Sequence, residues 1–246
     1  MLSACGSKPE FELVEQDPKI RIQFEMLNDG QSVDIGDRFV DQNEFNLQLK
    51  TMRFYISDLR LVGNDGEQEL SEVELVNFNE LQDGQVNPFV QGYDFIVKKD
   101  VFNELIFAIG LDAEMNSTDP TILPKDNPLS ANSQMYWDWG SKYIFIMLEA
   151  GIDLDKDGVM DDDIGFHTGL DEQYFGLQDK TISLALDAFE KDTITVSIDW
   201  NKLFPTTGAN AIDLDQAPYY HANADQEARD MTRLFAENFI GAIDIK

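Results

Sequence analysis

Residues Lys19 to Met26 alternate without a break. Ile20, Ile22, Phe24 and Met26 point one way, and Arg21, Gln23 and Glu25 the other. A period of two residues belongs to an extended strand, and an apolar row opposite a polar row marks a strand buried on one face. Asn28-Asp29-Gly30 closes the run as a turn, and Asn64-Asp65-Gly66 closes another. Between and after them the pattern returns at Phe45–Leu49, Arg53–Val62, Asp94–Val97, Glu104–Ile109, Thr181–Leu186 and Thr193–Ile198. The apolar phase of Arg53–Val62 shifts near Ser57-Asp58, which predicts a bulge. Residues Tyr143 to Leu148 are apolar on both faces, as a central strand requires. Many short strands joined by Gly/Asn/Asp turns predict an all-β fold, an antiparallel β-sandwich.

Two segments depart from the pattern. Met231, Leu234, Phe235 and Phe239 fall at helical spacing, so Asp230–Ile243 should be a short C-terminal helix that covers an end or edge of a sheet. Leu111–Gln134 is polar, carries three prolines and shows little periodicity. It reads as an ordered functional loop. No repeat or low-complexity linker divides the chain, so 19–246 is expected to be one domain.

With 47 acidic residues against 18 basic ones, the net charge is -29. Such a surface repels nucleic acid and anionic lipid head groups, and it attracts cations. A single cysteine, Cys5, excludes an intrachain disulfide. Its setting, L-S-A-C-G-S, matches the end of a bacterial lipobox, although the basic and apolar parts of a signal peptide are missing. Residues 1–18 are therefore expected to form a flexible tether, lipidated at Cys5. No run of about 20 apolar residues is present to span a membrane. The expected location is the bacterial cell envelope, at a periplasmic or outer-membrane surface, with the membrane contacted through the lipid anchor only.

The stretch D-L-D-K-D-G-V-M-D-D-D places Asp153, Asp155 and Asp157 at alternating positions before Gly158. Three carboxylates then line the inside of a tight loop, the glycine permits the turn, the Val159 carbonyl adds a ligand, and Asp161 takes the ninth position. Position twelve is Ile164 in place of a bidentate glutamate, so Asp162 or Asp163 would substitute. Oxygen-only ligands favour calcium over copper or zinc. A carboxylate run this dense also repels itself without a cation.

His167 follows this loop and His221 lies in A-P-Y-Y-H-A-N-A-D; the chain has no other histidine. Imidazole suits copper and zinc, but two histidines lack the third ligand of a catalytic zinc. H-E-x-x-H, G-x-S-x-G and a glycine-rich phosphate loop are all absent, so no enzyme class is indicated. Trp137 and Trp139 alternate and would share one face of a strand, as core aromatics or as a surface for stacking sugars. Met135 is a soft donor nearby or a core filler.

F-Y-I-S-D-L-R-L at Phe54–Leu61 is followed by F-A-I-G at Phe107–Gly110 and M-Y-W-D-W-G-S-K-Y-I-F at Met135–Phe145. L-E-A-G at Leu148–Gly151, F-H-T-G at Phe166–Gly169 and a late His221 before a terminal helix complete the series. This order resembles the MbnP-like copper-binding proteins, exported relatives of the copper proteins MopE and CorA. The resemblance implies a β-sandwich that holds one copper ion through histidines and a tryptophan oxidised to kynurenine by a partner dihaem peroxidase-like enzyme. It also implies an outer-membrane transporter as neighbour. Carried over, His167 and His221 become the copper ligands, and Trp137 or Trp139 the residue converted. The function expected is non-enzymatic copper buffering or delivery beside a structural calcium. The competing expectation is a calcium-stabilised sandwich that binds glycan or protein through its tryptophans.

Overall fold

The computed structural model describes residues 17–80, 89–138, 140, 142–186 and 190–246, with side chains throughout except at 178–180. In chain order these form β1 (Lys19–Asn28), β2 (Gln31–Ser32), β3 (Arg38–Val40), β4 (Asn46–Gly63), β5 (Gly66–Asn77), β6 (Val90–Ile96) and β7 (Asp100–Ile109). Then come β8 (Tyr136–Trp137), β9 (Lys142–Tyr143), β10 (Ile146–Asp153), β11 (Asp162–His167), β12 (Phe175–Leu186), β13 (Lys191–Asp199), β14 (Tyr219–His221) and β15 (Ile243–Ile245). The α-helices are α1 (Ala113–Asn116), α2 (Trp200–Leu203) and α3 (Gln226–Ala242).

Two sheets face each other. One runs β15-β13-β1-β2, with β6 also paired to β1; the other runs β12-β7-β4-β10-β11-β14, with β3 and β5 paired to β4. Most pairs are antiparallel, but β1–β13 and β11–β14 are parallel. The expected alternation of β1 holds: Ile20, Ile22, Phe24 and Met26 are all fully buried. Phe24 meets Phe54 and Phe107 of the facing sheet edge-on, at 5.7 and 6.4 Å between ring centres.

Strand β4 is longer than its pattern predicts, because two bulges reset its phase. Its core-facing residues run Leu47, Leu49, then Met52, Phe54, Ile56, then Leu59 and Leu61. Each step of three skips one extra residue. Around Lys50 the register shifts against β10, with Thr51 opposite Glu149 and Leu49 opposite Ala150. The second shift sits at Asp58, whose φ is +55°, where the sequence placed a bulge.

Segment Leu111–Gln134 is ordered, and it builds a second core on the outer face of the larger sheet. Leu111, Leu129, Met135, Tyr143, Ile144 and Phe145 are buried there against Tyr55 of β4. The Tyr55 hydroxyl donates to Pro128 O at 3.0 Å, and the Tyr143 hydroxyl to Leu129 O at 2.6 Å. Gly110, at φ +94°, lets the chain turn against Phe145; a Cβ there would sit 2.6 Å from that ring. Tyr143–Leu148 is apolar on both faces because it serves both cores: Tyr143, Ile144 and Phe145 enter the second, Ile146 and Leu148 the main one, and Met147 packs against the second. Its strand starts only at Ile146, after a step that joins it to the small β8–β9 hairpin.

Helix α3 begins a turn earlier than its apolar spacing indicates. Asp225 caps it by accepting from Ala228 N at 2.8 Å, and Glu227 occupies the first turn. Phe239 packs on Phe54 and Phe235 stacks on Phe166, at 5.1 and 4.7 Å between ring centres. The helix thus closes the main core, and the chain continues into β15 beside β13. Replacing Phe235, which is fully buried, with alanine should cost about 3–5 kcal/mol of stability, read as a lower urea midpoint at unchanged m-value.

Candidate metal centre

The register of three strands assembles the site. His167 at the end of β11 pairs with Met147 of β10 on one side and with His221 of β14 on the other. Paired residues project to the same face, so these side chains form one row. That face is the outer one: Leu148 and Phe166 point into the main core, which turns Met147 and His167 away from it. Two residues along lies a second row, Thr51, Glu149, Gly165 and Tyr219, on the same face.

The two histidines meet. Their Nδ1 atoms are 2.9 Å apart, and their rings are 4.7 Å apart. The ring centre of Trp137 lies 5.2 Å from His167 and 4.8 Å from His221, edge-on to both. Hairpin β8–β9 carries Trp137 there, and the second core holds it in place. His167 is buried and His221 is half-buried.

Glu149 stands behind His167. Its Oε1 is 3.0 Å from His167 Nε2, an ion-pair distance that falls short of hydrogen-bond alignment. Oε1 also accepts from the Tyr219 hydroxyl at 2.6 Å, and Oε2 from Thr51 Oγ1 at 2.8 Å. The His167 contact pulls the carboxyl down to about 2; burial opposes this, and the two hydroxyls add to it. Burial, and then the nearness of His167, hold His221 below the ordinary imidazole range, while Glu149 pulls the other way. Both lowering effects favour the neutral ring of His221, the form that ligates metals.

Tyr219 reaches Glu149 only because residue 165 has no side chain. A Cβ at Gly165 would lie 2.5 Å from Tyr219 Cε2. Sequence reasoning missed Glu149, Thr51 and Tyr219. The signals were there: Glu149 is the one charge in the apolar run Ile144–Ile152, and Tyr219 and Gly165 each precede a histidine by the two residues that keep a strand on one face.

The acid loop joins β10 to β11, at the opposite end of β11 from His167. One oxygen each of Asp153, Asp155 and Asp157 lie within 4.8 Å of one another. Asp161 is not in this group, and Asp163 is ion-paired with Lys50. Asp153 is fully buried. Burial alone would raise its carboxyl, but donors from Gly158 N, Asn46 and Asp157 N outweigh that and hold it low. Gly158 takes φ +92°, as the turn requires. Met135 is fully buried in the second core, as a filler. Cys5 and Trp139 lie outside the described residues. Among the described residues no helix is long and apolar enough to cross a membrane.

Comparison with known proteins agrees with this architecture. The family profile described as MbnP matches residues 17–224. MbnP from Methylosinus trichosporium is similar in fold, with a TM-score of 0.55 at 16% identity over 84% of this chain and 81% of that one. No curated protein matches the chain.

Replacing Gly165 with alanine should push the Tyr219 ring off Glu149. The expected cost is about 1–3 kcal/mol of stability in chemical denaturation, from overpacking at one contact.

Proposed function

The chain belongs to the MbnP family, and from that premise we propose that it is a non-enzymatic copper-binding lipoprotein of the bacterial envelope that buffers or delivers copper. One observation carries this reading: the only two histidines of the chain converge, Nδ1 to Nδ1, beside Trp137. The donor set fits the ion. Metal–nitrogen bonds of about 2.0 Å allow two ligating nitrogens up to about 4 Å apart. A separation of 2.9 Å lies inside that reach. Neutral imidazole is a donor of the right softness for copper. Bound there, copper would supply a redox-active cation to a face that otherwise offers acid–base groups alone.

His167 and His221 would hold the ion through Nδ1. The position of Trp137 against both rings supports it as the residue a dihaem peroxidase-like partner converts to kynurenine. Opening the indole yields an aniline nitrogen and carbonyl groups, donors that intact indole lacks. Lipidation at Cys5 would hold the protein at a periplasmic or outer-membrane surface, beside an outer-membrane transporter. A platform that stacks glycans does not need its tryptophan edge-on to two histidines, so the copper reading takes precedence.

The acid loop is proposed as a separate, structural calcium site. Asp153, Asp155 and Asp157 would give carboxylate oxygens, Val159 its carbonyl, and Asp161 a contact made with the ion in place. The convergence of three like charges supports this reading.

Replacing both His167 and His221 with alanine should lower copper affinity at least 100-fold in a competition titration, with an unchanged circular dichroism spectrum. Wild-type affinity in the double variant would refute the site. Chelating calcium should lower Tm by about 5–10 °C, since a ligand at 100 times its Kd contributes about 2.7 kcal/mol to a chain of this size. A Tm that ignores both chelator and added calcium would show that the loop binds none.

A further inference from the structure

An ionised carboxylate can only accept hydrogen bonds. Glu149 already takes one from Tyr219 and one from Thr51, and the same Oε1 faces His167 Nε2 at 3.0 Å. That contact falls short of hydrogen-bond alignment, but among the described residues no other group makes an aligned hydrogen bond to Nε2, and His167 is only 3% exposed. The proton therefore belongs on Nε2, where Glu149 stabilises it. A neutral imidazole carries one N–H, which leaves a lone pair on His167 Nδ1. In the 2.9 Å contact between the two Nδ1 atoms, His221 must then be the donor.

We propose that Glu149 is a positioning residue that holds His167 in the Nε2–H tautomer, with its Nδ1 lone pair preset toward His221, and that Tyr219 and Thr51 hold Glu149 in turn. This rests on the reading of the two histidines as metal ligands. It makes the pair unequal. His167 is a ligand already formed. His221 has its Nδ1 proton in the way, and it ligates once that proton has left Nδ1 and the neutral ring carries its proton on Nε2. No net proton is released in the exchange. The backbone fixes the buttress as firmly as the ligands: Glu149 sits two residues after the row on its strand and Tyr219 two residues before it, and Gly165 clears the path between them.

The test is long-range 1H–15N correlation on the imidazoles of the purified full chain without metal, paired with competition titration of copper(I) and copper(II). Wild type should show His167 protonated at Nε2 and His221 at Nδ1. In Glu149→Gln the His167 tautomers should mix, and copper affinity should fall 10- to 100-fold. Tyr219→Phe keeps the ring and the carboxylate, so it should fold as wild type does and lower affinity less than tenfold. His167 protonated at Nδ1 in a protein that binds copper, or affinity unchanged in Glu149→Gln, would overturn the positioning role alone. Wild-type protein that binds neither copper ion would overturn the copper reading, and the role with it.

Discussion

The register between β4, β10 and β11 is the constraint on which the rest depends. Side chains on a strand alternate between faces, so a slip of one residue would exchange the faces of the larger sheet. Leu148 and Phe166 would leave the main core, and Glu149 and His167 would enter it. Burying the Glu149 carboxylate among phenylalanines, away from the Tyr219 and Thr51 hydroxyls, costs several kcal/mol, and the imidazole would lose its polar partners as well. The same slip would strand apolar rings in water. Both cores and the row of Met147, His167 and His221 therefore exist in one register only, and the bulge at Lys50 keeps it while β4 passes from one phase to the next.

Two layers on opposite faces of one sheet explain why the site is rigid. The main core fixes the backbone of β10, β11 and, through α3, the strand β14 that packs beneath it. The second core delivers Trp137 from the outside. His167 is held from both directions, by Phe166 on one side of its strand and by the hairpin on the other. A binding constellation supported in this way loses little entropy when a ligand arrives. The strong negative charge enters differently. It raises the local concentration of any cation, without selecting one. On the proposed reading, selection falls to donor type: carboxylate oxygens in the acid loop between β10 and β11, and imidazole nitrogens where β11 meets β14.

Much of this was legible from residue order. The alternation in β1, the phase shift at Asp58, the apolar stripe of α3 and the acid loop all show in the chain, since each depends on neighbours a few residues apart. Less of the strand map was visible. Strand β5, with its charged and half-buried residues, gave little alternation, and the short β14 and β15 carry too few residues to show any. The Leu111–Gln134 segment looked like a loop because its apolar residues follow neither period; they are spaced to fit the irregular surface they cover.

For the candidate metal centre, residue types marked His167, His221, Trp137 and the aspartates as ligand chemistry. That Trp137 stands beside the two imidazoles follows from the hairpin and the second core. That His221 faces His167 follows from a parallel pairing across 54 residues, which no local pattern encodes. Glu149, Thr51 and Tyr219 join the site for the same reason. By itself the sequence determined which groups could bind a metal and which faces of the strands carry them, because chemistry and period are local. The tertiary structure alone decided which of those groups meet, because strand order and register are settled by burying two apolar layers at once.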